Sequence, residues 1–110
     1  MPHLVIRGLS IEEMKEISVP LVKELAEICE CGTDNFTFEV PHSTFVYNGE
    51  EIPAFPLIEV KWFERGQEIR EKFAQAITQK IMLTGVDEVE VVFIPYVKTA
   101  YYINGERLGE

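Results

Sequence analysis

No stretch of this chain approaches the roughly 18 consecutive apolar residues that a membrane-spanning helix needs, and no basic segment leads into an apolar core at its start. Neither a membrane partner nor a secretory leader is expected. Positive charge is scarce: 10 Lys and Arg stand against 19 Asp and Glu, a formal net charge of −9 with no basic cluster to interrupt it. Such a surface repels phosphate backbones and anionic lipid, so nucleic acid is not an expected partner. His3 and His42 are the only histidines, and Cys29 and Cys31 form C-x-C without a second cysteine pair, which leaves no metal-ligand pattern. Two thiols without a framework fit a reducing compartment, and the expected location is cytoplasmic. Cys29 continues the apolar stripe Leu21, Leu25, Ile28 and reads as a small core residue, with Cys31 just past the helix.

What remains is an ordinary globular composition, 46% hydrophobic and 26% charged over 110 residues, which predicts a single domain spanning 1–110. Leu4 to Gly8 reads as a strand. Ser10 with Glu13 three residues on is a capping box that opens a helix, and Met14, Ile17, Leu21, Leu25 and Ile28 give that helix one apolar face. Pro20 lacks the N–H that would bond back to Glu16, which predicts a kink or break there. Phe36 to Val40 alternates as a half-buried strand does, and Asn48-Gly49 supplies the positive φ angles of a tight hairpin turn. From Pro56 the pattern begins again. Leu57 to Phe63 is a strand, Arg65-Gly66-Gln67 a turn, and Ile69, Phe73, Ala76, Ile77 and Ile81 the stripe of a second helix ending at Gly85. Glu90 to Ile94 is the fourth long strand, and Asn104-Gly105 repeats the hairpin signal.

Pro2 pairs with Pro56 and Pro41 with Pro95 at one constant offset, so residues 2–53 and 56–110 read as pseudo-repeats of a strand-helix-strand-hairpin unit. Right-handed crossover places both helices on one face of a four-stranded mixed sheet with a parallel pair in each half, a two-layer α/β sandwich. The other face carries His3, Val5, Arg7, Thr37, Glu39, Leu57, Glu59, Lys61, Phe63, Glu90, Val92 and Ile94. That mixture is too charged for a dry core and too apolar for free solvent, which predicts self-association through the sheet face.

If Met1 is removed, Pro2 becomes an N-terminal secondary amine at a strand end. An α-amino group titrates at about 7.7 to 8.0 and an apolar wall lowers that further, so such a nitrogen is a base near neutral pH. A Met-Pro-x-apolar start, duplicated β-α-β units and a terminal hairpin resemble the tautomerase superfamily, which includes macrophage migration inhibitory factor and 4-oxalocrotonate tautomerase. The runs Met1-Pro2-His3-Leu4, Phe36-Thr37-Phe38-Glu39-Val40, Ser43-Thr44-Phe45 and Trp62-Phe63-Glu64-Arg65-Gly66-Gln67-Glu68 are more closely similar to a small bacterial tautomerase-like family of unknown function. The resemblance covers essentially the whole chain. It implies a homotrimer and cofactor-independent proton transfer next to a carbonyl, a keto-enol type isomerisation, with Pro2 as the general base. The implied ligand is a small 2-oxo or unsaturated carboxylic acid.

Three further residues are candidate substrate contacts. Arg65 stands where dehalogenase-like relatives carry an arginine-glycine-arginine turn, and Gln67 replaces the second arginine, so at most Arg65 supplies the charge. Arg65 reads equally as a turn residue paired with Glu64 or Glu68, and Gln67 also as a helix-start residue. Glu39, on an otherwise apolar strand, is either a polarising carboxylate or a structural partner of Arg7 or Lys61. His3 points away from Pro2 and reads as structural, and Tyr96, Tyr101 and Tyr102 as subunit packing. The alternative to an enzyme is a non-catalytic trimeric binding or structural module of the same fold.

Overall fold

The computed structural model describes residues 2–109. The element order runs strand, helix, strand, hairpin, twice over: β1 (His3–Arg7), α1 (Ile11–Cys29), β2 (Thr37–Glu39), β3 (Phe45–Tyr47) and β4 (Glu50–Ile52), then β5 (Leu57–Trp62), α2 (Gln67–Met82), β6 (Glu90–Pro95), β7 (Tyr102–Ile103) and β8 (Glu106–Arg107). Four strands form one mixed sheet in the order β2-β1-β5-β6, and the other four make two separate hairpins. β1 runs parallel to β2 and β5 parallel to β6, while the two halves meet antiparallel through β1 and β5. This is the two-layer α/β arrangement that the hydrophobic periods predict.

Local chemistry explains the element ends. Ser10 caps α1 through its side chain and Glu13 reaches back to the Ser10 N–H, so the capping box forms as read. Both Asn-Gly turns adopt positive φ at both residues, 54° and 80° at Asn48-Gly49 and 53° and 82° at Asn104-Gly105, the mirror-image turn whose twist suits a two-residue hairpin. Gly8 ends β1 at φ 89°, where any Cβ would run into the Phe55 carbonyl, so the chain crosses itself there only because the side chain is absent.

The core lies between the helices and the sheet. Leu4, Ile6, Ile58, Val60 and Trp62 face Met14, Leu21 and Leu25 of α1 and Phe73, Ala76, Ile77 and Ile81 of α2, all within one cluster. Both strand-opening prolines, Pro2 and Pro56, are buried as well. On the bare face Val5 is only 3% exposed. Its register neighbours are Glu39 and Glu59, which pair with His3 and Arg7 and so close over it.

Two expectations fail. Pro20 does not break α1, which is uninterrupted from Ile11 to Cys29. The proline lies on the exposed side, so the bond it withholds from Glu16 falls where the carbonyl faces outward rather than into the core. Cys29 and Cys31 are not separate thiols but are joined in a disulfide. Glu30 between them turns left-handed at φ 53°, which swings Cys31 back beside Cys29. Among the described residues no helix is long and apolar enough to cross a membrane.

Phe73 touches both Trp62 and Phe36 at the centre of this core. Phe73→Ala is expected to cost about 3–5 kcal/mol in a denaturant titration. Leu83→Ala, at a residue 81% exposed, should change it by less than about 0.5 kcal/mol.

Candidate active site at the Pro2 end of the sheet

Pro2 stands immediately before β1, and its carbonyl accepts a hydrogen bond from the Thr37 N–H at 3.2 Å. Its position follows from register. Leu4 lies opposite Val60 and His3 opposite Lys61, so the next step along the antiparallel seam sets Pro2 beside Trp62. On its other side the parallel register, His3 with Thr37, sets it beside Phe36. Phe36 and Trp62 both pack on Phe73, with ring centroids 6.3 and 5.0 Å away, and Trp62 also meets Phe93 at 4.9 Å. Pro2 is therefore held in an aromatic setting and is fully buried in the single chain. The Trp62 indole N–H is buried there without a hydrogen-bond partner among the described residues.

Arg65 lies at the same end. Its guanidinium sits 5.5 Å over the Trp62 ring, within cation–π range, and Nη1 donates to the Phe63 carbonyl at 3.1 Å. Both carboxylates that flank it in sequence are engaged elsewhere. Glu64 accepts from Arg70 Nη2 at 2.5 Å and from the Gly66 N–H at 2.9 Å, and Glu68 pairs with Lys72 at 3.4 Å. Among the described residues Arg65 has no carboxylate partner, so its charge faces the Trp62 end of the sheet uncompensated.

The other candidates lie apart. Gln67 is the exposed first residue of α2, where its amide donates to Glu71 at 3.1 Å and accepts from Arg70 at 2.8 Å. Those bonds fasten the helix start and occupy the groups a substrate would use. Glu39 projects from the opposite face of the sheet, because it shares the phase of His3 and Val5. It accepts from His3 Nε2 at 2.8 Å, and His3 Nδ1 lies 2.5 Å from the Thr37 hydroxyl. Pro2, by register, and Arg65, by its ring contact, thus both border Trp62, while Gln67 lies at the start of α2 and Glu39 on the opposite face of the sheet. Trp62, which the sequence reading did not single out, is the residue both candidates border.

On the bare face, Phe63, Tyr96 and Tyr101 form an aromatic group with centroids 5.3 to 5.9 Å apart. Burial, aided by the nearby Tyr101, raises the Tyr96 hydroxyl above its ordinary value of 10.0 and keeps it a neutral donor.

Two helices over a β2-β1-β5-β6 sheet with a proline at the start of its central strand define the tautomerase fold, as in macrophage migration inhibitory factor. A macrophage migration inhibitory factor-like protein from Entamoeba histolytica superposes with a TM-score of 0.74 at 16% identity, covering 96% of this chain and 97% of that one. The structure of Pt0534 inactivated by 2-oxo-3-pentynoate superposes with a TM-score of 0.78, also at 16% identity, covering 96% of each. The chain itself belongs to the family described as Domain of unknown function (DUF1904), which matches residues 1–107. A crystal structure of this domain from Sebaldella termitidis ATCC 33386 is 36% identical, with a TM-score of 0.90 over 97% of this chain and 99% of that one. No curated protein matches the chain.

The Arg70 hydrogen bond does most to hold the Glu64 carboxyl below its ordinary value of 4.5, against the opposing effect of burial and with help from the Gly66 N–H. A lowered folded value stabilises the fold above pH 4.5 and loses that stabilisation as pH falls through the folded value. Wild type should therefore exceed Glu64→Gln in urea midpoint at neutral pH, with the gap closing in acid. A gap that persists undiminished in acid would mean that the ionised carboxylate is not its source.

Proposed function

We propose that this protein is a cofactor-independent tautomerase acting on a small 2-oxo or unsaturated carboxylic acid, with Pro2, freed by removal of Met1, as general base. The observation that carries this reading is Arg65: a half-buried residue whose guanidinium lies over the ring of Trp62, the register neighbour of Pro2, while the acids around it serve other cations. An arginine so placed is suited to hold a substrate carboxylate. With the carboxylate there, the carbon next to the 2-oxo group would lie toward the proline amine. Pro2 takes the proton, an enol forms, and the proton returns at the oxygen or a further carbon. The inactivation of Pt0534 by a 2-oxo acid supports the same ligand class.

The working form is a homotrimer in this reading, with the whole chain as one unit in the cytoplasm. Its radius of gyration, 15.1 Å, exceeds the roughly 13 Å of a compact chain of this size. Exposed Val46, Tyr47, Tyr102 and Ile103 on the hairpins supply arms for neighbouring subunits. Gln67 and Glu39 are secondary contacts at most, since each already has a partner within the chain.

A second reading, a non-catalytic trimeric module, draws on the complete burial of Pro2 in the single chain. Intact mass separates the two. The enzyme is expected to lack Met1, to ketonise phenylpyruvate enol, and to lose activity as pH falls through the amine's value. It should also gain the mass of 2-oxo-3-pentynoate on the Pro2 peptide, since a conjugated alkynone adds an amine without losing a group. Pro2→Ala should lower kcat/KM by about 10²–10⁴-fold. Arg65→Ala should lower it by about 10–100-fold, the worth of a hydrogen bond to a charged group. Retained Met1 with no turnover and no adduct would leave the binding module.

A further inference from the structure

Helix α1 ends in a ring. Cys29 and Cys31 are joined, their Cα atoms 5.4 Å apart, and the ring closes over the single residue Glu30. Glu30 adopts the left-handed conformation that side chains other than Asn and Asp seldom enter. Backbone bonds hold the turn independently of the sulfurs, from the Glu30 N–H to the Ala26 and Glu27 carbonyls and from the Cys31 N–H to the Ala26 carbonyl at 3.0 Å. Both cysteines are half-buried rather than sealed in the core. Beside them an open groove of about 520 Å³ is lined by Glu27, Ile28, Glu30, Glu68, Ile69 and Lys72.

A disulfide stabilises a fold chiefly by restricting the unfolded chain, and the effect grows with the loop it closes. A loop of one residue restricts almost nothing, and the helix end is already fixed by its own backbone. Stability is therefore a poor explanation for this bond. Closeness in sequence does favour chemistry, because a thiol two residues from its partner meets it at high effective concentration in either direction.

We propose that Cys29 and Cys31 form a redox centre that exchanges with low-molecular-weight thiols and disulfides, neutral or cationic in preference to anionic. In the reducing direction an external thiolate attacks one ring sulfur, the S–S bond breaks, and the other cysteine leaves as a thiolate that takes a proton from water. A second external thiolate then attacks the outer sulfur of the mixed disulfide and releases the remaining cysteine thiolate, which is protonated in turn. Two external thiols become one disulfide, losing two electrons and two protons, and the ring becomes two thiols. Charge sets the preference. Glu27, Glu30 and Glu68 surround the groove, and its lysine, Lys72, is paired with Glu68. The chain around it has a net charge of −9.

The full-length protein, equilibrated with cysteamine and cystamine or with reduced and oxidised glutathione at graded ratios, then acid-quenched, alkylated and weighed, tests this. The expected result is a monomeric mass that passes from no added alkyl groups to two across the ratios. Starting from the dithiol, cystamine should oxidise it about tenfold faster than oxidised glutathione at low salt, with the difference shrinking at high salt. Cys29→Ser and Cys31→Ser should each retain cysteamine as a stable mixed disulfide, since the thiol that would expel it is gone. A native chain that stays unalkylated under excess thiol, or is doubly alkylated at every ratio, would overturn the redox centre. Equal rates for the two disulfides would overturn the charge preference.

Discussion

The antiparallel seam between β1 and β5 determines where everything else in this molecule lies. Each half of the chain supplies a parallel strand pair covered by its own helix, and such a pair alone would expose both an edge and a core. Joining the halves antiparallel makes one sheet with a continuous buried face, on which Leu4, Ile6, Ile58, Val60 and Trp62 meet both helices. It also sets the start of one central strand against the end of the other. Pro2 thereby arrives beside Trp62 and the Arg65 turn, and Pro56 beside the turn at Gly8. These two corners are alike in backbone and unlike in chemistry. Pro56 is a mid-chain amide without a basic lone pair, and the arginine near it, Arg7, is tied to Glu59 at 3.1 Å. Only the Pro2 corner combines a proline whose nitrogen could be freed with an arginine lacking a carboxylate.

The bare face of the sheet carries acidic groups in pairs. His3 hydrogen-bonds Glu39 and Arg7 pairs with Glu59, so both carboxylates have partners within the chain, and Val5 is sheltered between them. Phe63, Tyr96 and Tyr101 supply a half-buried aromatic patch at one end.

Much of the fold was legible because it rests on local rules. The capping box at Ser10, both Asn-Gly turns and the two apolar stripes require only the residues that form them. What escaped was decided by choices among neighbours. Between Glu64 and Lys72 the chain offers Glu64, Glu68 and Glu71 to Arg65, Arg70 and Lys72, and spacing alone cannot say which carboxylate each cation takes. The structure leaves Arg65 out of both pairs, because Arg70 reaches back six residues past the start of α2 to Glu64 and Lys72 takes Glu68 one turn away along the helix. Gln67 is drawn into the same network. The cysteine pair escaped for a related reason: the helical period correctly put Cys29 on the apolar stripe, but the left-handed turn at Glu30 brings Cys31 back to it. Pro20 misled because the cost of a helix proline depends on which side its missing bond falls, and a one-dimensional pattern shows that side poorly.

The way Arg65 is held bears on what it can bind. A guanidinium carries its donors in its plane, and a cation–π contact such as that of Arg65 over the Trp62 ring, 5.5 Å from its centroid, uses none of them as hydrogen-bond donors. One N–H is committed to the Phe63 carbonyl at 3.1 Å. The remaining edge donors stay available for an acceptor in that plane, and a carboxylate matches their spacing with two parallel bonds. Beneath, Trp62 is itself immobilised by Phe73 and Phe93, so the arginine is oriented by the aromatic core rather than by a charge that a ligand would first have to displace. With Glu64 and Glu68 taken by Arg70 and Lys72, Arg65 is left without a carboxylate partner among the described residues.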